Sequence, residues 1–168
     1  MTKTSALIGS AAFFFIAPGT IAGLIPWLVT HWRIQDGASP TLQIIGAVLI
    51  AMSLAMLIEC FARFALKGVG TPAPVAPPQH LVVSGLYRYV RNPMYVAVLG
   101  LILGQLLFFG NAALLAYAVV VWLAFFVFVL SYEEPTLRAS FPEEYEAYVA
   151  NVPRWAPRLT PWRGEASG

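Results

Sequence analysis

The chain has 168 residues, 59% of them hydrophobic and 11% charged, with a mean hydropathy of +0.72. Soluble domains carry about 25% charged residues, so the composition excludes an ordinary soluble globule and points to a single-domain polytopic membrane protein. A net charge of +2 argues against a nucleic-acid footprint, and the one cysteine, Cys60, excludes an internal disulfide and a cysteine-based zinc site; no metal is expected.

Near the N-terminus, Lys3 and the apolar stretch that follows resemble a signal sequence. The apolar run nevertheless continues through Pro18 and Gly19 to Val29, longer than a signal core, so a retained first transmembrane helix is expected. A helix needs about 20 apolar residues to cross the hydrocarbon core. Segments 6–29, 42–66, 93–109 and 112–131 meet or approach that length. Pro18 and Pro26 predict a kink or broken turn in the first. The third is short for an upright span, and a fifth, partial or re-entrant element is compatible with the pattern.

The predicted fold is therefore all-α: a polytopic membrane helical bundle of about four transmembrane helices with a C-terminal cytoplasmic interfacial helix. Two helices occupy 1–66, a cytoplasmic loop 67–92, a transmembrane hairpin 93–131 and a cytoplasmic tail 132–168. With four spans, Lys3, Arg63, Lys67, Arg88, Arg91, Arg138, Arg154, Arg158 and Arg163 share one side and only Arg33 falls on the other. Basic residues favour the cytoplasm, so both termini are expected there, in a bacterial-type inner membrane. The loop 67–80 is rich in Pro and Gly and reads as an extended linker, or else a lid over a site. Gly100 and Gly104 form a small-xxx-small pair suited to close helix packing.

In the tail, Ser140 and Glu143 form a capping-box pattern around Pro142. Phe141, Tyr145, Tyr148 and Val149 recur at helical spacing, which predicts a helix lying on the headgroups. Beyond it, Pro153, Trp155, Pro157, Pro161 and Trp162 read as an irregular surface segment, with 164–168 disordered.

Two polar stretches flank the last two apolar runs: SGLYRYVRNPMY at 84–95 and YEEP at 132–135. Asn92-Pro93 reads as a helix start, Asn as N-cap and Pro at the first position. Arg88 and Arg91 just before it make, with the helix dipole, either an anion site or a pair of snorkelling arginines. Glu133 and Glu134 are expected at the C-terminal end of a helix, where they oppose its dipole. They either pair with Arg88, Arg91 or Arg138 or receive cationic and hydroxyl groups of a ligand. Because the two helices are antiparallel, these ends converge on one patch. A zwitterionic, hydroxyl-bearing ligand such as S-adenosylmethionine fits it.

The motif at 81–95, the Glu133-Glu134-Pro135 run, and the set Phe141, Tyr145, Tyr148, Val152, Pro153 and Arg154 together resemble the isoprenylcysteine carboxyl methyltransferase and phospholipid methyltransferase superfamily of integral membrane enzymes. The resemblance covers residues 80–159. It implies a membrane-embedded methyltransferase with S-adenosyl-L-methionine as cofactor and a lipophilic or small-molecule acceptor, either an isoprenylcysteine carboxylate or a phospholipid amine. By motif position Arg91, Asn92, Pro93, Tyr95, Glu133 and Glu134 line the cofactor site, with Tyr87, Arg88, Tyr145 and Tyr148 as further candidates. The three tyrosines serve either adenine stacking or interfacial anchoring.

Many members have His where this chain has Asn92, and Asn does not titrate near neutrality. Glu134 and Arg91 are the catalytic candidates, Glu134 as an assistant to deprotonation of an amine. Glu59 and Arg63, an i,i+4 pair inside the second span, are weaker candidates for acceptor binding. His80 reads as a solvated loop histidine and His31 as lying on the opposite face. Partners are the lipid bilayer and the acceptor; nucleic acid is not expected, and self-association is left open. Two other readings are an NADPH-dependent, sterol-reductase-like oxidoreductase, on a shared hairpin, and a small non-enzymatic membrane scaffold.

Overall fold

The computed structural model describes residues 12–63 and 81–163. The Pro/Gly-rich loop 67–80 with His80, Lys3, Lys67 and residues 164–168 therefore lie outside the described residues. Among the described residues four helices make the bundle: α1 (Ala12–Thr30), α2 (Pro40–Arg63), α3 (Pro93–Phe109) and α4 (Ala113–Ser140). A short α5 (Pro142–Asn151) follows. No strand occurs among the described residues. Helices α1, α2 and α4 are long and apolar enough to span a bilayer. At 17 residues, α3 reaches about 26 Å, slightly less than the hydrocarbon thickness.

Proline dictates the shape of α1. Between Pro18 and Pro26 the helix widens into a π-turn, Thr20–Leu24, in which the Ile25 N–H bonds back to the Thr20 carbonyl. Pro26 has no N–H to offer the preceding turn, so carbonyls there need donors from elsewhere. Gln105 Nε2 of α3 donates to the Ala22 carbonyl at 2.7 Å, and Tyr117 Oη of α4 donates to the Ile21 carbonyl at 2.7 Å. In hydrocarbon no water is available to do this. The two polar side chains thus hold α1 against α3 and α4.

Close backbone approach joins α2 to α3. A Cβ at Gly46 would lie 2.6 Å from the Gly104 carbonyl oxygen and 2.7 Å from the Phe108 nitrogen, and one at Gly104 would lie 2.7 Å from Ile50 Cγ1. The small-xxx-small pair at 100 and 104 therefore packs as expected, with Gly46 and Ser53 as its counterparts on α2. Leu57, Ala97, Ile102 and Leu114 fill the interior between the helices.

The fourth span differs from the sequence expectation. It does not stop near 131 but continues through a π-turn, Val129–Glu133, into Glu134–Ser140. The wider turn accommodates Pro135, which has no N–H for an α-helical bond. Glu133 and Glu134 consequently do not sit at a helix end opposing its dipole; Glu134 begins a new α-helical segment. Ser140 becomes the last residue of α4. Phe141 takes the N-cap place of α5 without a side-chain cap, so the predicted capping box does not form.

The periodic face of α5 is real, and it packs on protein. Tyr145, Tyr148 and Val152 are buried with Leu81, Val83, Leu137 and Trp162 around them. The segment after α5 is irregular, as predicted, yet it is stitched to the stretch before α3. Arg91 N–H donates to Pro153 O, Arg158 N–H to Tyr89 O and Trp162 N–H to Arg88 O, at 2.9, 3.0 and 2.9 Å. At the opposite end of the bundle the Gln35 N–H meets the Phe109 carbonyl at 2.9 Å. The turns carrying His31, Arg33 and Gly110 gather there, away from the arginine-rich end.

Candidate functional site: a carboxylate shared by two arginines

At the arginine-rich end, the start of α3, the π-turn of α4 and the strap after α5 meet. Glu134 is the centre. Its Oε1 accepts from Arg91 Nη1 at 3.2 Å and from Arg154 Nε at 2.6 Å, and its Oε2 accepts from Arg154 Nη2 at 3.1 Å. The Arg91 and Glu134 side chains are 9% and 10% exposed, whereas Arg154 is 31% exposed. Charges this deep must be paired, and the Arg154 fork supplies the bidentate geometry that carboxylates favour. The hydrogen bond to Glu134 holds the Arg154 guanidinium above its ordinary pKa.

Adjacent Glu133 accepts a hydrogen bond from Tyr95 Oη at 2.6 Å. The Tyr95 ring packs 4.6 Å from that of Phe125 and 6.4 Å from that of Trp155, and Trp155 stacks 6.4 Å from Phe126. An aromatic wall thus stands beside the two carboxylates. Two buried donors here, Arg91 Nε and Trp155 Nε1, have no hydrogen-bond partner among the described residues. A buried donor left unpaired costs about 1–3 kcal/mol.

Not every predicted site residue joins this cluster in the expected way. Asn92 precedes Pro93 at the start of α3, but its side chain makes no cap; Nδ2 donates to the Arg154 carbonyl at 3.1 Å and so fixes the strap. Arg88 donates through Nε to the Trp162 carbonyl at 2.7 Å and does not bridge to the glutamates. Arg138 pairs with Glu146 on the surface instead of with Glu133 or Glu134. Of the expected arginine partners, only Arg91 reaches Glu134.

Tyr148 Oη donates to the Tyr87 carbonyl at 2.7 Å, and its ring lies 6.3 Å from Tyr145 and 5.9 Å from Trp162. Burial raises the phenol pKa of Tyr87, Tyr145 and Tyr148 above the ordinary value, keeping all three neutral. Glu59 and Arg63 form the predicted i,i+4 pair on α2, under Gly85, whose φ of +57° lets the chain pass over them without a side chain.

Arg154 and Trp155 were not singled out as site residues by sequence reading. Their signal was the Val152-Pro153-Arg154 run, whose importance depends on a fold-back of more than sixty residues (Asn92 to Arg154) that no local pattern encodes.

A family model described as phospholipid methyltransferase matches residues 41–144. Over 80 residues the chain is 37% identical to the protein-S-isoprenylcysteine O-methyltransferase of Schizosaccharomyces pombe, covering 47% of this chain and 34% of that protein. Over 87 residues it is 33% identical to the cobalt-zinc-cadmium resistance protein CzcN of Cupriavidus metallidurans, covering 52% of this chain and 40% of the other. The matched stretches thus span from a third to two fifths of those relatives. No solved structure matches. The family match takes in α2, α3, α4 and both glutamates, and the strap bearing Arg154 lies beyond it. The chain is an integral membrane protein, and it belongs to the phospholipid methyltransferase family.

Proposed function

We propose that this protein is a membrane-embedded, S-adenosyl-L-methionine-dependent methyltransferase acting on a lipophilic or small acceptor. The observation that carries the proposal is the Arg91–Glu134–Arg154 cluster at the membrane border, with the unpartnered buried donors Arg91 Nε and Trp155 Nε1. Those donors suit a carboxylate, and Glu133 suits an ammonium or ribose hydroxyl, so the residues fit this cofactor. When bound, the cofactor supplies an electrophilic methyl on a sulfonium.

The chain's own part is to bind, to orient and to exclude water. Arg91 and Trp155 take the anionic group. Glu134 holds both guanidiniums in place and, with both oxygens engaged, acts as an organiser rather than a base. Asn92 secures the strap and has no proton to exchange near neutral pH. A carboxylate acceptor needs no base; an amine acceptor must lose a proton, for which Glu133 is the nearest carboxylate outside the double bridge. The gathering of Arg63, Arg88, Arg91, Arg154 and Arg158 at one end supports a cytoplasmic site in a bacterial-type inner membrane, with both termini on that side.

Calorimetric titration of the purified protein in detergent with S-adenosylmethionine is the test. Binding that weakens at least tenfold in Arg91→Ala and Glu134→Ala, equivalent to about 1.4 kcal/mol, is expected. Transfer of a labelled methyl group to a component of native membranes then identifies the acceptor. Absence of cofactor binding, or preference for NADPH, refutes the proposal.

A further inference from the structure

Gln105 does more than hold α1 in place. Its amide nitrogen donates to two carbonyls, Ala22 O at 2.7 Å and Leu101 O at 3.2 Å. Two acceptors on one side fix which way the amide faces, because only the nitrogen end carries protons. The amide oxygen Oε1 therefore points away from both, and it accepts no hydrogen bond among the described residues. Gln105 is only 6% exposed, so this acceptor lies inside the bundle, where hydrocarbon provides no donor.

The same side chain lines a groove of about 620 Å³ between α1 and α2, with α3 beneath. Gly19 and Gly23 contribute the α1 side, and Ala47 and Ala51 the α2 side. A Cβ at Gly23 would meet nothing within 4 Å, so that wall is open. Toward the arginine-rich end Phe14 of α1 meets Phe61 of α2 edge-on, ring centroids 5.0 Å apart, and joins the two walls. Trp32 and Phe109 mark the opposite end. From Phe14 to Ala22, the level of Gln105, the helical rise gives about 12 Å.

These features define the chemistry of an occupant. Among the described residues that line the groove none is charged, so a charged head at Gln105 would be an unpaired charge in hydrocarbon. One hydroxyl donor satisfies Oε1, and an apolar body of about 12 Å fills the rest. Walls of glycine and alanine have no rotamers with which to wrap a flexible chain. A rigid body gives up little freedom on entering such a slot, whereas an acyl chain gives up much. Gln105 stands about 6 Å from the Phe109 end of α3, so the hydroxyl lies toward the headgroups and the body toward the bilayer centre.

We propose that this groove binds one neutral, rigid polycyclic lipid with a single hydroxyl, of the sterol or hopanol type. Its hydroxyl donates to Gln105 Oε1, and its rings lie between α1 and α2 toward Phe14. Along α3 that oxygen is about 18 Å from Pro93, so the bound lipid is remote from the Glu134 centre and is not a methyl acceptor.

The test is native mass spectrometry of the full chain released from detergent containing equal amounts of cholesterol, diplopterol, cholestane and hexadecanol. Cholestane keeps the rings without the hydroxyl, and hexadecanol keeps the hydroxyl without the rings. One retained cholesterol or diplopterol is expected, preferred about fivefold over cholestane, the ratio one neutral hydrogen bond supplies. Gly23→Leu, which fills the groove from α1, and Ala51→Leu, which fills it from α2, should each remove retention. Helical content and melting temperature of both variants are the control for folding. Cholestane or hexadecanol retained as strongly as the polycyclic alcohols overturns the proposal. So does retention unchanged in both variants, or a second copy of the chain retained in place of lipid. Cofactor affinity measured on the same variants reports separately on the Glu134 centre.

Discussion

Removing the Glu134 carboxylate while leaving its two arginines is the sharpest perturbation of this structure. Glu134→Ala deletes the acceptor of three guanidinium hydrogen bonds, at 3.2, 2.6 and 3.1 Å. The two arginines are not equally affected. Arg154 is 31% exposed and can turn to solvent, but Arg91 is 9% exposed and has its Nε already unpaired. Most of the cost therefore falls on Arg91, and breaking such a buried pair is worth about 3–5 kcal/mol.

Arg154→Ala should cost less, about 1.5–3 kcal/mol for its charged hydrogen bonds, because Glu134 retains Arg91. The double variant Glu134→Leu with Arg91→Met leaves no stranded charge and should be more stable than Glu134→Ala alone. Unfolding in mixed micelles by titration with sodium dodecyl sulfate, followed by circular dichroism, measures all three. If Glu134→Ala lies within about 1 kcal/mol of wild type, or if the double variant is the least stable, the cluster is a solvated surface pair and the argument fails.

Other consequences follow from the same physics. Gly46→Leu drives a side chain into the Gly104 carbonyl and the Phe108 backbone, so it should abolish the folded monomer in size-exclusion chromatography, while Gly23→Ala, with open space at its Cβ, should be accepted. Gln105→Leu strands the Ala22 carbonyl and should lower stability by about 1–3 kcal/mol; adding Pro26→Ala restores a backbone donor and should recover much of the loss in the same micelle titration. Tyr148→Phe deletes the bond to the Tyr87 carbonyl and should cost about 1 kcal/mol. Burial raises the pKa of Tyr87 and Tyr148, so the folded chain holds those protons more tightly than the unfolded one. Their contribution is complete below pH about 10 and declines as the pH rises past it. A melting temperature independent of pH between about 9 and 11 would contradict this assignment.

Several features were legible because they are local or compositional. Runs of apolar residues located the starts of α2, α3 and α4 within a few positions, since length against bilayer thickness leaves little choice. The spacing of Tyr145, Tyr148 and Val149 located α5. Pro18 and Pro26 announced an irregularity in α1, but not that Gln105 and Tyr117 supply the missing donors, because those lie 83 and 96 residues away. The extension of α4 past Pro135 was misread. Proline usually ends a helix, and only the π-turn, a backbone adjustment with no composition of its own, lets this one continue.

By itself, then, the sequence determined that the chain is a helical membrane protein, that its basic residues gather at one end, and that Arg91, Glu133 and Glu134 are drawn to that end by antiparallel helices. These follow from hydropathy and polarity, which act residue by residue. Tertiary structure alone decided the partners. It gave Glu134 a second arginine from the strap, turned Asn92 from cap to fastener, sent Arg88 to a carbonyl and left Glu59 with an unpaired oxygen. Pairing of this kind depends on which distant segments fold back together, and a buried charge accepts whichever counter-charge arrives in geometry to desolvate it.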